Sequence, residues 1–320
     1  VCYYCRRCGS VLGGLMAAGT GSGSTVSAIF SPIRLWLLLP SWIVIGFFLL
    51  LPVLLMLVYS FLTKEFRGGV IWEFSLASYD QFLFDRGLFG DEPPVIKWTY
   101  INIFIRSILQ ATGATILCLL IGFPTAYFIA TRPIQSRTMW LFLITVPYWV
   151  NLLIRTVSMK FLIRDSGPLN ELLLNIGLID APLHIINTNF AVQLGLFYSY
   201  LPFMVLPIYA SVERYNFAFS EVASDLYASK ITILWNIILP VVKPGIIAGS
   251  ILVFVPSLGA FLAPDLLGGA KTFMIGSLIE DQFKGNAGNW PFGAAASMIL
   301  LSLVLVVLMF YVRAQEKDQT

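Results

Sequence analysis

The sequence predicts an all-α integral membrane protein with six transmembrane helices. Three observations carry that prediction. The 320 residues are 58% hydrophobic and only 12% charged, whereas a soluble domain averages about a quarter charged. Mean hydropathy is +0.83, and apolar runs of the ~20 residues that cross hydrocarbon recur along the chain. These runs do not alternate polar with apolar residues, which excludes a strand barrel. The formal net charge of +3 singles out no class of partner.

Residues 1–33 read as a disordered tail. Val1 stands where Met is usual, so the start is expected to be trimmed or to come from an alternative start codon. Cys2, Cys5 and Cys8 form C-x2-C-x2-C. Zinc requires four ligands, and the only other cysteine, Cys118, lies in an apolar run, so no metal site is expected. The short, Gly-rich run after Arg6 and Arg7 is a weak match to a signal peptide.

The first span runs from about Leu35 to Phe61, and an acid-rich polar loop follows over 62–98. The second span is about Tyr100 to Thr131, and a tight turn from Arg132 to Arg137 leads to the third, about Met139 to Ile163. The segment 164–188 is mixed, with a helical pattern over Asn170 to Ile176. The fourth span is about Phe190 to Val212, the fifth about Ile246 to Leu267, and the sixth about Phe292 to Val312. The Arg132/Arg137 turn carries two arginines and no acid, so it belongs on the cytoplasmic side. Six spans then place both termini and the 213–245 loop inside, and the 62–98 loop outside.

The 213–245 loop is the most distinctive stretch. Ser220 is positioned as an N-cap and Glu221 faces the positive end of a helix dipole. A second short helix, Ile231 to Leu239, is expected to end at Pro240 and Pro244. Glu221, Ala223, Ala228 and Ser229, then Ile237, Leu239 and Pro240, then Pro244 and Gly245, resemble the EAA loop of ABC importer permeases. The resemblance implies a type I (MetI-like) permease fold whose loop presents a cytoplasmic coupling helix to an ATPase subunit. Tyr227 stands where that family usually has Gly; if the position needs a positive φ, a tyrosine there costs roughly 1 kcal/mol. The competing reading is an ordinary cytoplasmic loop.

Other chemistries find little support. The single histidine, His184, lies in the outer polar segment, and no H-E-x-x-H motif exists, so an intramembrane hydrolase is not indicated. Gly268-Gly269-Ala270-Lys271-Thr272 is a superficial match to a phosphate loop, but Asp265 occupies the position of its first glycine. No cofactor is expected on this chain; if ATP drives it, ATP-Mg is bound by a partner ATPase.

Several further stretches resemble the permeases of polyamine (spermidine/putrescine) importers: Pro147-Tyr148-Trp149 with Asn151 and Arg155, Leu201-Pro202-Phe203-Met204 with Pro207, Pro264-Asp265 through Lys271, and Trp290 through Ala295. The likeness covers most of residues 34–313. It implies a first helix and periplasmic loop over 34–98, a permease core over 99–313 and a cytoplasmic tail over 314–320. It also implies a bacterial inner-membrane location and three kinds of partner. These are a second permease (PotC-like), an ATPase homodimer (PotA-like) and a periplasmic polyamine-binding protein (PotD-like).

A polycation crossing lipid needs aromatic faces, carbonyls and acids in place of water. In the third span Tyr148, Asn151, Arg155 and Ser158 fall at i, i+3, i+7 and i+10, one face of a helix. With Trp149, Tyr198, Tyr200 and the outer acid Asp265, Tyr148 and Asn151 make up the candidate substrate path. Tyrosines bridging packed helices are the alternative. Arg155 is read as the structural partner of an acid, with Asp265 one possibility. Gly245-x3-Gly249 suits close packing, against the partner permease on this reading. A permease for another small solute, an ATPase-independent transporter or channel, and a scaffold subunit stay open.

Overall fold

The computed structural model describes residues 32–65, 69–85, 95–96, 98–284 and 288–319. The Cys2/Cys5/Cys8 motif, the signal-like run and nearly all of the expected tail lie outside them. Among the described residues, five helices are long and apolar enough to cross a membrane: Leu39–Ser60, Trp98–Ala130, Asn189–Glu213, Lys230–Leu258 and Trp290–Arg313. A sixth candidate is a bent pair, Ile134–Trp149 with Leu152–Asn175, broken by 92°.

The chain divides into two compact units, Val1–Leu55 and Met56–Thr320. In the first, α1 (Pro32–Ile45) passes through a π-turn at Gly46–Leu50 into α2 (Leu51–Ser60), which runs on into the second. Two antiparallel two-residue ladders follow, β1 (Thr63–Lys64) with β2 (Val70–Ile71) and β3 (Phe84–Asp85) with β4 (Val95–Ile96). Between them lies α3 (Ala77–Leu83). The Tyr79 hydroxyl donates to Ser60 Oγ at 3.0 Å, tying α3 to the end of α2.

The core of the second unit is built by α4 (Trp98–Ala130), α8 (Asn189–Glu213) and α11 (Leu239–Leu258), which pack on one another. Lipid is as apolar as leucine, so burial alone does not drive spans together; close backbone approach does. The buried stripe of α4 is accordingly small: Ser107, Ala111, Ala114, Cys118, Gly122, Ala126 and Ala130, three or four residues apart. Met204, Val205, Ile208, Val242 and Val253 fill the space opposite.

Gly245 and Gly249 do serve close packing, but the neighbour is α8 of the same chain rather than a partner. A Cβ on Gly245 would lie 2.7 Å from the Pro207 carbonyl oxygen, and one on Gly249 would lie 3.1 Å from that of Met204.

Three expected boundaries differ. The third span is not one helix. α5 (Ile134–Thr145) ends in a 3₁₀ turn at Val146–Trp149, and α6 (Leu152–Ile163) starts again after Asn151. Val150 is extended, which ends the turn, and the Asn151 side chain caps the new helix by accepting from Leu153 N at 2.8 Å. The helix α7 (Pro168–Asn175) then follows as the Asn170 pattern predicted.

The fifth span begins earlier and ends earlier than predicted. α10 (Lys230–Ile233), a π-turn at Leu234–Ile238 and α11 run as one membrane-length helix to Leu258. Pro240 and Pro244 therefore do not end it. The π-turn carries the hydrogen-bond register across, with Leu239 N–H reaching back to Leu234 O, and places Pro240 in the first turn of α11, where its missing N–H costs little.

Residues 259–267, read as the end of that span, instead lead with the residues up to 274 into short π and 3₁₀ turns at Pro264–Gly268 and Gly269–Thr272. Ser107 Oγ of α4 accepts from Ile275 N at 2.8 Å at the start of α12 (Ile275–Lys284). The last helix, α13 (Trp290–Gln319), contributes buried Phe292, which packs with Phe82 and Tyr100.

Candidate functional site

Two places gather the residues singled out by the sequence. The first is the loop after α8. Its helix, α9 (Ala218–Asp225), begins before Ser220, because Asn216 Oδ1 accepts from Ala218 N at 3.0 Å and fixes the start there. Ser220 is consequently inside the helix, where its hydroxyl pairs with that of buried Tyr215 at 2.7 Å. Glu221 does lie in the first turn, exposed.

The end of α9 is a Schellman turn. Ala228 N–H donates to Ala223 O at 3.1 Å and Tyr227 N–H to Ser224 O at 3.0 Å. This geometry puts a left-handed residue between the two helices, and that residue is Tyr227, at φ +62°. Its side chain is 98% exposed, so no packing compensates within the chain. Ser229 then caps α10, its Oγ accepting from Thr232 N at 3.2 Å.

The loop has two faces. Ala223 and Ala228 turn inward and pack, with Leu234 and Ile237, on the cluster formed by α4, α8 and α11. Phe219, Val222, Leu226, Tyr227, Ile231 and Trp235 are exposed. Leu239 is half-buried and Pro240 exposed at the start of α11. On the same side, Arg137 Nη1 lies 3.6 Å from Glu213 Oε1, so the basic turn and the end of α8 meet.

The second place is the break in the third span. The aromatic rings of Tyr148 and Phe203 meet edge-on at 4.9 Å, and Phe203 is 6.3 Å from Tyr200. The Tyr200 hydroxyl donates to Pro256 O of α11 at 3.3 Å. Beside them is Arg155, buried, with its guanidinium 4.8 Å from the Tyr148 ring and 6.0 Å from that of Tyr198. Its partners are not acids. It donates to Tyr148 O at 2.7 Å, Val150 O at 2.9 Å and Ser199 O at 3.5 Å. The first two carbonyls are accessible because the break leaves them without helical donors.

Of the predicted path residues, Tyr148, Tyr198 and Tyr200 therefore converge, although Asn151 acts as a cap and not as part of a continuous face with Tyr148. Trp149 points elsewhere, stacking edge-on to Phe142 at 6.0 Å. Asp265 is exposed on the 259–274 segment and does not pair with Arg155. Nearby, Glu280 accepts from Lys284 and raises the ammonium pKa above its usual value, with Asp265 adding to the same field. Phe203 and the Pro256 carbonyl belong to the cluster but are not among the residues the sequence singles out as the path; they join it through Tyr148 and Tyr200. His184, between α7 and α8, places its Nδ1 2.9 Å from Oδ2 of Asp165, which lies between α6 and α7.

The fold as a whole is similar to that of solved proteins. One permease-containing structure, a bacterial ABC transporter that imports the acidic polysaccharide alginate, matches with a TM-score of 0.62 at 20% identity, covering 92% of this chain and 98% of that one. The same kind of transporter in complex with an alginate pentasaccharide-bound periplasmic protein matches with a TM-score of 0.59 at 19% identity, over 89% and 95% of the two chains. The fold is that of a type I, MetI-like ABC importer permease.

No protein-family model matches the chain. The "spermidine/putrescine transport system permease protein PotB" of Escherichia coli (strain K12) is 41% identical over 273 residues, 85% of this chain and 94% of that protein. The chain belongs to this family of transport permeases, and it is a transport subunit rather than an enzyme. ABC importer permeases work with a second permease, an ATPase and a periplasmic binding protein.

Proposed function

We propose that this chain is one of two permease subunits of an ATP-driven polyamine importer in the bacterial inner membrane. Its loop between α8 and α10 is the contact through which an ATPase moves it. The observation that carries the coupling role is the two-faced loop. Ala223 and Ala228 bond it to the membrane core, while an exposed apolar rim from Phe219 to Trp235 faces outward. A rigid turn fixed at both ends transmits a push, and contiguous exposed apolar surface of this kind marks a protein contact. With the 213–245 loop in the cytoplasm, as the basic Arg132/Arg137 turn favours, both termini are cytoplasmic and the rim lies where ATP is.

ATP-Mg is bound by the partner, which closes as a dimer; the loops of the two permeases follow, and the spans swing from inward-open to outward-open. ATP shifts this equilibrium only through its differential affinity for the two states, carried by that contact. The PotB identity supports spermidine or putrescine as cargo, delivered by a PotD-like binding protein, with PotC-like and PotA-like subunits completing the complex. The tyrosine faces and free carbonyls at the break suit a cation stripped of water. A different small solute on the same frame is the second reading, supported by the alginate likeness of the fold.

Glu221 tests the coupling. It is exposed in the first turn of α9, and reversing its charge there costs this chain only about 1 kcal/mol or less. In proteoliposomes containing the complete complex, Glu221→Lys should insert and assemble normally while polyamine uptake falls at least tenfold and ATP hydrolysis no longer follows substrate. Normal uptake by this variant would remove the loop from the coupling path.

A further inference from the structure

Arg155 is a buried cation in a membrane span, 5% exposed, and none of the ion pairs among the described residues includes it. A permease that passes cations has reason to keep fixed positive charge out of its interior. What surrounds the guanidinium is a receptor of a recognisable kind. Three backbone carbonyls, of Tyr148, Val150 and Ser199, converge on it, and the rings of Tyr148 and Tyr198 flank it. Carbonyl oxygens and aromatic faces are what a desolvated ammonium or guanidinium group needs.

The fit to arginine itself is incomplete. Its Nε is buried with no hydrogen-bond partner, and the Ser199 contact is at the 3.5 Å limit. A receptor shaped for the guanidinium would satisfy its rigid fork of five donors. Next to the cage, sharing Ser199, is a cavity of about 120 Å³ bordered by Leu152, Thr156, Tyr200, Pro256 and Ala260. Its largely apolar wall suits a methylene chain.

We propose that this cage is a binding site for an ammonium group of the cargo, and that Arg155 is a tethered cation that occupies it until the cargo displaces it. The inference rests on the polyamine reading only for the identity of the cargo; the cage chemistry stands on the geometry alone. Displacement also frees Arg155 from the Tyr148 and Val150 carbonyls, which couples entry of the cargo to the break in the third span.

The test uses the complete complex in detergent, without binding protein or ATP, and two probes: methylguanidinium and spermidine. Arg155→Ala should bind both at least tenfold more tightly than the unsubstituted complex, and after reconstitution should leak spermidine down its gradient. Arg155→Lys keeps a cation but reaches fewer acceptors, so its affinity for both probes should fall between the two. Binding of neither probe by an assembled variant overturns the proposal. Loss of assembly in both variants that methylguanidinium does not rescue assigns Arg155 to the fold alone and overturns it too. If methylguanidinium binds Arg155→Ala and spermidine does not, the vacated space accepts only the arginine's own head group and the proposal is overturned; spermidine uptake by the unsubstituted complex then decides the polyamine reading separately.

Discussion

At the scale of single residues, Tyr227 shows how a local backbone demand and a surface role meet. The Schellman turn at the end of α9 needs a left-handed residue, and a side chain there strains the backbone by roughly 1 kcal/mol against Gly. The ring is fully solvent-facing in this chain, so no intramolecular contact offsets that strain. Tyr227→Gly should therefore raise the unfolding midpoint of the purified permease by a few degrees or less, the extra freedom of the unfolded glycine cancelling part of the gain. Uptake should be kept or raised. Thermal unfolding and vesicle uptake together check this; abolished uptake in a stabilised variant would show that the ring itself contacts the partner. The need for positive φ was legible, because a known motif places Gly at this position. The helix start was not, since Asn216 and not Ser220 fixes it, and an Asx turn is set by backbone direction that spacing does not record.

At the scale of elements, the long apolar runs were read within a few residues for the second, fourth and sixth spans, because nothing but a helix satisfies a backbone in lipid. The misreadings fall where proline is ambiguous. Pro240 and Pro244 are expected to terminate a helix, yet the helix runs through both, with a π-turn at Leu234–Ile238 just before Pro240. Pro147 lies in the 3₁₀ turn at which the third span breaks. Single-residue chemistry does not decide between a kink, a bulge and a break; the packing of neighbouring helices does. In that packing the α8–α11 contact depends on Gly245. A methyl there meets the Pro207 carbonyl oxygen at 2.7 Å, a backbone atom that cannot rotate away. Gly245→Ala should cost on the order of 1–3 kcal/mol through overpacking and lower the midpoint of thermal unfolding. An unchanged midpoint would mean that the two helices are not held at this separation.

At the scale of the whole molecule, the functional logic is a link between two places on one chain. The loop is joined through Ala223 and Ala228 to the cluster of α4, α8 and α11, and the same α8 carries Tyr198, Ser199, Tyr200 and Phe203 to the break in the third span. Displacement of the loop thus acts on the helix that forms one wall of the aromatic site. The coupling residues were legible because they recur in a fixed order. The aromatic site was legible only in part, because its centre, Arg155, gathers carbonyls that no side-chain pattern reveals.

All of this requires the loop to face the compartment that holds ATP. In a background in which Cys2, Cys5, Cys8 and Cys118 are replaced, Tyr227→Cys places one reactive thiol at the exposed tip of that loop. Intact spheroplasts treated with a membrane-impermeant maleimide should leave this thiol unlabelled, and permeabilised ones should label it fully. Labelling of the intact cells would put the loop on the outer face and contradict the account.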